Sequence, residues 1–233
     1  MKRPLIAVIQ ARMGSSRLPN KMMLSLHGLP VVEWVWRRVS MAKHIDVVIV
    51  AVPDTPSDQL LADHLLRIGA NVSRGSETDV LGRMTDAARS AGAATVIRIC
   101  ADNPLVCGSE IDRLVDFFDT GRYDYAYNHI PRANSYPDGL GAEIVSMELL
   151  VLLNETVTLP AQREHVFNYI WDNPDQFRIG TFDPIDRALA HPELKLDLDT
   201  IEDYNALLKL PLTPEMSAFE VIRTVLQSLP HSI

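Results

Sequence analysis

The sequence predicts an α/β fold, a three-layer α/β/α sandwich of Rossmann-like type around a mostly parallel sheet. Three observations predict it. Leu5 to Ile9, Val47 to Val52 and Thr95 to Cys100 are nearly continuous apolar runs, the pattern of strands covered on both faces. Amphipathic stretches separate these runs, and glycines at 69, 92 and 121 supply helix stops. A βαβα order of this kind folds into parallel strands with helices on both sides.

The elements follow in order. A helix opens at Pro30, a good first-turn residue, and carries Val31, Val32, Val35 and Val39 on one face. Others are expected over 57–68, 80–91 and 109–119. Residues 128 to 141 are polar, punctuated by Gly and Pro, and long for a structureless loop, a length typical of a binding segment. A strand over 142–146 follows, then helices over 147–155 and 162–172. Short strands are expected over 177–182 and 195–197, and two helices over 200–209 and 217–229 close the chain. No repeat or linker interrupts it, so residues 1–233 read as one domain with an excursion over 128–182.

The chain has 233 residues, 47% of them hydrophobic, enough for a full core without disulfide or metal staples. Twenty-two basic against thirty acidic residues give a formal charge of −8. That balance argues against a nucleic-acid partner, which needs a dominant basic patch, but leaves room for a local cluster that holds a phosphorylated ligand. Cys100 and Cys107 show no CxxC and no zinc spacing, and read as free thiols, Cys100 buried in a strand. The apolar run after Met1-Lys2-Arg3 is too short for a signal peptide, and no 18-residue apolar stretch spans a membrane. The expected location is cytoplasmic.

Three elements carry chemistry. The first strand ends in Gln10-Ala11-Arg12-Met13-Gly14-Ser15-Ser16-Arg17-Leu18-Pro19-Asn20-Lys21. Ligands of open α/β sheets bind where loops leave the carboxyl ends of strands. Small residues here let backbone N–H groups approach an anion, and Arg12, Arg17 and Lys21 suit a triphosphate. An ordinary exposed basic loop has the same composition. The loop matches neither GxGxxG nor GxxxxGK[ST], so dinucleotide-binding and P-loop readings fail. Asp102, in Ala101-Asp102-Asn103-Pro104, stands at the end of another strand, where a carboxylate suits a hard cation such as Mg²⁺; it equally suits a turn. Asp197 and Asp199 alternate onto one face of a short strand, where they repel unless a cation or water lies between them. Asp199 or Thr200 also fits the N-cap of the helix that follows, with Asp203 in its first turn.

Taken in order, these motifs resemble the cytidylyltransferase family, which includes CMP-sialate and CMP-Kdo synthetases and, above all, the spore-coat polysaccharide biosynthesis protein F branch. The opening stretch from Val8 to Lys21 carries the resemblance, joined by Arg74-Gly75-Ser76-Glu77-Thr78-Asp79-Val80-Leu81-Gly82-Arg83, Ala101 to Leu105, Tyr136 to Leu140, Arg163-Glu164-His165-Val166 and Leu198 to Asp203. The resemblance implies a nucleotide-diphospho-sugar transferase (GT-A-type) fold and Mg²⁺-dependent transfer of CMP from CTP to the anomeric hydroxyl of an acidic 2-keto-3-deoxy sugar. Arg12, Lys21, Asp102 and Asp199 would be catalytic. Gln10, Ala11, Arg12, Gly14, Ser15, Arg17, Lys21 and Asp102 would bind the nucleotide, with Ser76 and Asp79 near cytosine and ribose. Asp102, Asp197 and Asp199 would hold the metal. A homodimer formed through residues 128–182 is implied as well.

Three positions depart from the family pattern. Ala101 and Asn20 stand where Gly is more usual, and Gly141 where an acidic residue is frequent. Candidates for the acceptor side are Arg132, Asp138, Glu143, Arg163, Glu164 and His165, an Arg being suited to a sugar carboxylate. His165 also reads as a structural histidine. A glycosyltransferase of related fold, a non-catalytic nucleotide-binding module, and a non-sugar acid or phosphonate as acceptor are the alternatives.

Overall fold

Alternate residues of the first strand feed two different cores. In β1 (Leu5–Gln10), Leu5, Ala7 and Ile9 enter one apolar cluster while Ile6 and Val8 enter another. That is the period-two result of a strand covered on both faces. Each of the Leu, Ile and Val side chains so removed from water contributes roughly 1.5–3 kcal/mol. The computed structural model describes residues 1–228.

After β1 come a small hairpin, β2 (Ser25–Leu26) and β3 (Leu29–Pro30), then α1 (Val31–Val39), β4 (Val47–Pro53) and α2 (Gln59–Arg67). The chain continues through β5 (Asn71–Gly75), α3 (Val80–Ser90), β6 (Thr95–Cys100), α4 (Gly108–Asp119), β7 (Tyr125–Tyr127) and β8 (Glu143–Ser146). It ends with α5 (Met147–Thr156), α6 (Pro160–Glu164), α7 (Asn168–Asp172), β9 (Ile179–Gly180), α8 (Ile201–Lys209) and α9 (Ala218–Ser228). Residue 229, at the end of the helix expected over 217–229, and residues 230–233 lie outside the described residues.

The central sheet has the order β5-β4-β1-β6-β8-β7-β9. Strands β5, β4, β1 and β6 run parallel, while β8 is antiparallel to both its neighbours. Helices α1, α2, α4 and α9 cover one face and α3, α5 and α7 the other. This is the expected three-layer α/β/α arrangement. From β1 the chain moves outward to β4 and β5, then returns to the far side of β1 as β6. That reversal opens a crevice at the carboxyl ends of β1 and β6, where Gln10 and Cys100 are register partners.

The predicted face of α1 is buried, and Trp34 with it; its indole N–H donates to the Leu26 carbonyl at 2.6 Å. Gly69, Gly92 and Gly121 follow their helices at φ of +83°, +66° and +71°. Among the described residues no helix is long and apolar enough to cross a membrane.

Several expectations are corrected. The single helix over 162–172 is two short ones, α6 and α7, broken at His165. Val166 and Phe167 are both buried between them, and Phe167 packs on Tyr125 with ring centroids 5.2 Å apart. One straight helix presents neighbouring residues about 100° apart, so the chain bends to bury both. The strand expected over 177–182 is only Ile179–Gly180, and 195–197 makes only an isolated bridge from Lys195 to Asp138. Strands β5 and β7 were not predicted. The segment 128–182 supplies β8 and β9 to the central sheet. Cys107 is buried, whereas Cys100 is only partly buried and lines the crevice.

Candidate active site

The loop after β1 is pinned by its own backbone. The buried Asp58 carboxylate accepts the Met13 N–H at 2.7 Å, and Ser15 Oγ accepts the Leu18 N–H at 3.2 Å. Asn20 sits at φ 59°, a left-handed conformation that Gly favours and Asn tolerates, so its departure from the family's Gly is a mild one. Held this way, Arg12, Arg17 and Lys21 line a cleft of about 290 Å³ over the switch point. Gln10, Ala11, Gly14 and Ser15 form its β1 side. Asp102 and Asp199 line it from the end of β6 and from the segment before α8.

The cations and carboxylates meet directly. Lys21 Nζ donates to Asp102 Oδ2 at 3.2 Å, Asp199 Oδ1 at 3.3 Å and the Leu198 carbonyl at 3.1 Å. Arg17 pairs with Asp199 at 2.9 Å, and Arg12 with Glu164 at 3.1 Å. The Leu198 N–H donates to the Asp102 carbonyl at 2.7 Å, which sews the two acidic segments together. Thr200, not Asp199, caps α8: its hydroxyl accepts the Asp203 N–H, and the Asp203 carboxylate accepts the Thr200 N–H in return. The Asp199 carboxylate is therefore left to the cleft.

Asp197 stands behind that pair. One of its oxygens, Oδ1, is buried with no hydrogen-bond partner among the described residues, and Oδ2 lies 3.5 Å from Lys195. Burial, then the charge of Asp138, pushes its carboxyl up to about 6, with Asp199 and Asp102 adding to the rise against Lys195. Asp138 reaches this cluster through a tight contact. Gly139 has φ +88°, and a Cβ there would stand 2.9 Å from the Asp197 nitrogen. Burial holds the Asp138 carboxyl above its ordinary range. No group of three or more His, Cys, Asp and Glu among the described residues is arranged as metal ligands. The donors are nonetheless all oxygens, as a hard cation requires, and an ammonium stands between two of them.

Ser76 and Asp79 do not line the cleft; Val80 and Arg83, from the same motif, do. Ser76 Oγ accepts the Asp79 N–H, and Asp79 caps α3 by accepting the Gly82 N–H at 2.9 Å. Arg163 grips both Asp79 oxygens, at 2.9 and 2.6 Å, and spends its other donors on Asn154 and the Val157 carbonyl. Arg163 is thus a clamp within the chain, with no donor left for a sugar carboxylate in this arrangement. Burial, the largest single effect, would raise the Asp79 carboxyl. The hydrogen bonds from Arg163 and the Gly82 N–H, with the charges of Arg163 and Arg83, together outweigh it and hold it low.

A second cleft, of about 380 Å³, adjoins the first and is walled by Arg132, His129 and Trp171. The Arg132 guanidinium lies 4.2 Å from the Trp171 ring centroid. Glu143, at its floor, is buried and already engaged: it accepts from Arg98 and from the Tyr125 hydroxyl at 2.5 Å. Burial keeps the His129 imidazole below its usual range, and its Nδ1 has no partner among the described residues. Glu164 lines the first cleft, while the exposed His165 lines both. Sequence reasoning passed over Arg83, Arg98 and His129. For Arg98 a signal existed, an arginine inside the apolar run Thr95 to Cys100.

Comparison with known proteins agrees with this geometry. The cytidylyltransferase family model matches residues 6–227. Spore coat polysaccharide biosynthesis protein SpsF of Bacillus subtilis is 32% identical over 238 aligned residues, 98% of this chain and 96% of its own. A 3-deoxy-manno-octulosonate cytidylyltransferase of Chlorobium luteolum is 37% identical over 117 residues, 49% of this chain and 45% of its own. A cytidylyltransferase structure from Leptospira borgpetersenii superposes with a TM-score of 0.86 at 28% identity, covering 96% of this chain and 94% of that one. A match running nearly end to end, on a fold whose switch-point crevice gathers the matching cations, makes this chain a member of the cytidylyltransferase family, the CTP-dependent nucleotidyltransferases.

Proposed function

We propose that the enzyme transfers CMP from CTP to the anomeric hydroxyl of an acidic 2-keto-3-deoxy sugar and releases pyrophosphate, supplying a surface polysaccharide. The observation that carries this reading is the convergence of Arg12, Arg17 and Lys21 with Asp102 and Asp199 on one cleft. Transfer at the α-phosphorus asks little covalent work of a protein; it asks for position and for neutralised charge. Arg12, Arg17 and Lys21 would stabilise the departing pyrophosphate. Gln10, Ala11, Gly14 and Ser15 would shape the floor under the nucleotide, with Ser76 and Asp79 setting the turn beside its base.

Mg²⁺ fits the donor chemistry. Asp102 and Asp199 would hold it once Lys21 turns to phosphate, with Asp197 close behind; the ion would supply charge neutralisation at the phosphates. The acceptor would lie in the second cleft, its acid group near Arg132, with Glu143 and His165 lining it, Glu164 in the adjoining first cleft and Asp138 behind them. The octulosonate cytidylyltransferase supports an acidic sugar as the acceptor, and SpsF supports a place in polysaccharide synthesis. A cytoplasmic homodimer joined through residues 128–182 completes the proposal.

The test is pyrophosphate release from CTP with a panel of octulosonic and nonulosonic acids, run beside ATP, GTP and UTP. Turnover with CTP and at least one such acid is expected. Turnover only with a phosphonate or non-sugar acid would retire the sugar, and equal rates with a purine triphosphate would retire the nucleotide preference.

A further inference from the structure

Arg98 sits where the two clefts meet. It lies on β6, two residues before Cys100, and lines both the nucleotide cleft and its neighbour; His165 is the other residue common to the two. Its side chain is fixed from both sides. Nε donates to Gln10 Oε1 at 2.8 Å, and Nη1 donates to the buried Glu143 carboxylate, which also accepts from Tyr125. Nη2 has no hydrogen-bond partner among the described residues, and it is not one of the buried polar atoms left unpaired. The guanidinium is therefore oriented by two partners and keeps one edge unspent at the junction.

A transferase of this class brings two substrates together at one atom, the α-phosphorus. With the acceptor in the second cleft, as in the function proposed above, that atom belongs where the clefts join. We propose that Arg98 is a catalytic residue whose free Nη2 edge donates to a non-bridging oxygen of the nucleotide α-phosphate. In the step it serves, the acceptor hydroxyl oxygen forms a bond to the α-phosphorus. The bond from that phosphorus to the bridging oxygen of pyrophosphate breaks, pyrophosphate leaves with the electron pair, and the hydroxyl proton passes to solvent. Charge gathers on the non-bridging oxygens, and a preoriented guanidinium meets it without reorganisation. The buried Glu143 fits this role as the partner that orients Arg98. A lysine keeps the charge at this point but not the planar fork.

The test uses CMP and CTP as probes and needs no acceptor, so it is independent of the acceptor's identity. Titrations of CMP and of Mg²⁺-CTP are compared for the wild type, Arg98→Gln, Arg98→Lys and Arg98→Gln/Glu143→Gln, each beside a melting curve. The double variant removes the half-buried Arg98 charge together with the buried Glu143 charge and guards against a fold lost to an orphaned Glu143. Loss of an α-phosphate contact in the Arg98 variants weakens binding of CMP and CTP by the same factor, about tenfold to a hundredfold. Lys21→Ala, by contrast, weakens CTP far more than CMP. Loss of CTP affinity alone in the Arg98 variants would move the contact to the outer phosphates and overturn the proposal. Unchanged affinity for both nucleotides, with only the melting point lowered, would make Arg98 a structural partner of Glu143 and overturn it equally.

Discussion

Lys21 and Asp199 lie 178 positions apart in the chain and 3.3 Å apart in space. The carboxylate arrives from the segment before α8, and the ammonium from the loop after β1. The cleft is thus neutralised by its own side chains before any nucleotide enters. Binding a triphosphate is an exchange of partners, in which the loop cations leave carboxylates for phosphates.

That exchange sets the cost of losing a cation. Lys21→Ala and Arg17→Ala are expected to lower kcat/KM by about tenfold to a thousandfold, each losing a charge-assisted phosphate contact. Lys21 is the more damaging, because it also neutralises Asp102 and Asp199, whereas the Arg17 side chain is 66% exposed and pairs among the described residues only with Asp199. Steady-state rates beside circular dichroism check this. Wild-type rates in both variants would reduce the loop to an ordinary basic turn.

Glu164→Gln tests the same exchange from the opposite side. Arg12 and Glu164 are both more than a third exposed, so their pair contributes about 0–1 kcal/mol to stability. Removing the carboxylate frees Arg12, and CTP should bind a few-fold tighter at low salt with little change in melting point. The gain should shrink as ionic strength rises and screens the exposed charges. Weaker CTP binding would show that Glu164 helps the nucleotide rather than competing for its cation.

The Asp79–Arg163 clamp governs acid stability. Against burial, which raises it, the Asp79 carboxyl is held below its unfolded value, near 3.9, by the Arg163 hydrogen bonds and charge together with the Gly82 N–H and the Arg83 charge. A depressed folded pKa gives stability that is present above the unfolded pKa and lost as pH falls through the folded one. Asp79→Asn should therefore flatten the acid limb of the melting-temperature profile. Arg163→Ala should do the same and cost about 2–3 kcal/mol at neutral pH, since it strands acceptors on Asp79 and Asn154. Parallel profiles in variant and wild type below pH 5 would rule the clamp out.

What the sequence disclosed followed the range of the interactions involved. Strands β1, β4 and β6 were legible because burial on both faces leaves an unbroken apolar run. Strand β5, Asn-Val-Ser-Arg-Gly at the sheet edge, keeps only partial burial and carries no such run. The break between α6 and α7 was hidden because Phe167 packs on Tyr125, 42 residues earlier in the chain. The loop cations were legible as a local cluster. Arg98 was visible as an oddity in a strand, yet its meaning needed Gln10 and Glu143 beside it, which only the sheet order supplies.

Gly141, read from sequence as a change on the acceptor side, is buried under a backbone contact. A Cβ there would collide with the main chain and the amide oxygen of Asn128, which itself accepts the Ala142 N–H at 2.9 Å. Gly141→Ala should cost about 1–3 kcal/mol through overpacking, and an acidic residue more. A melting point within experimental error of wild type would show that the loop yields freely and that the position is open to an acceptor contact.

Asp102→Asn and Asp199→Asn separate a structural role from a chemical one. Were either carboxylate only a cap, Asn would replace it at a cost of about 1 kcal/mol or less, because Asn caps as well as Asp. Activity would then persist. Thr200 holds the α8 cap, and Lys21 keeps one of its two carboxylates in either variant. Asp138 and Asp197, whose carboxyls are raised partly by these neighbours, lose a repelling charge. Melting points should therefore hold or rise. Turnover should nonetheless fall by orders of magnitude, because a neutral amide holds a hard cation far less well than a carboxylate. Raised Mg²⁺, or Mn²⁺ in its place, should recover part of the loss. Arg17 loses its carboxylate partner in Asp199→Asn alone, so that variant should also show a changed salt dependence of CTP binding. A melting curve and a steady-state rate across a Mg²⁺ titration measure all of this for each variant. A stable Asp102→Asn enzyme with full activity and unaltered Mg²⁺ dependence would take Asp102 out of the chemistry, and the proposed metal site with it.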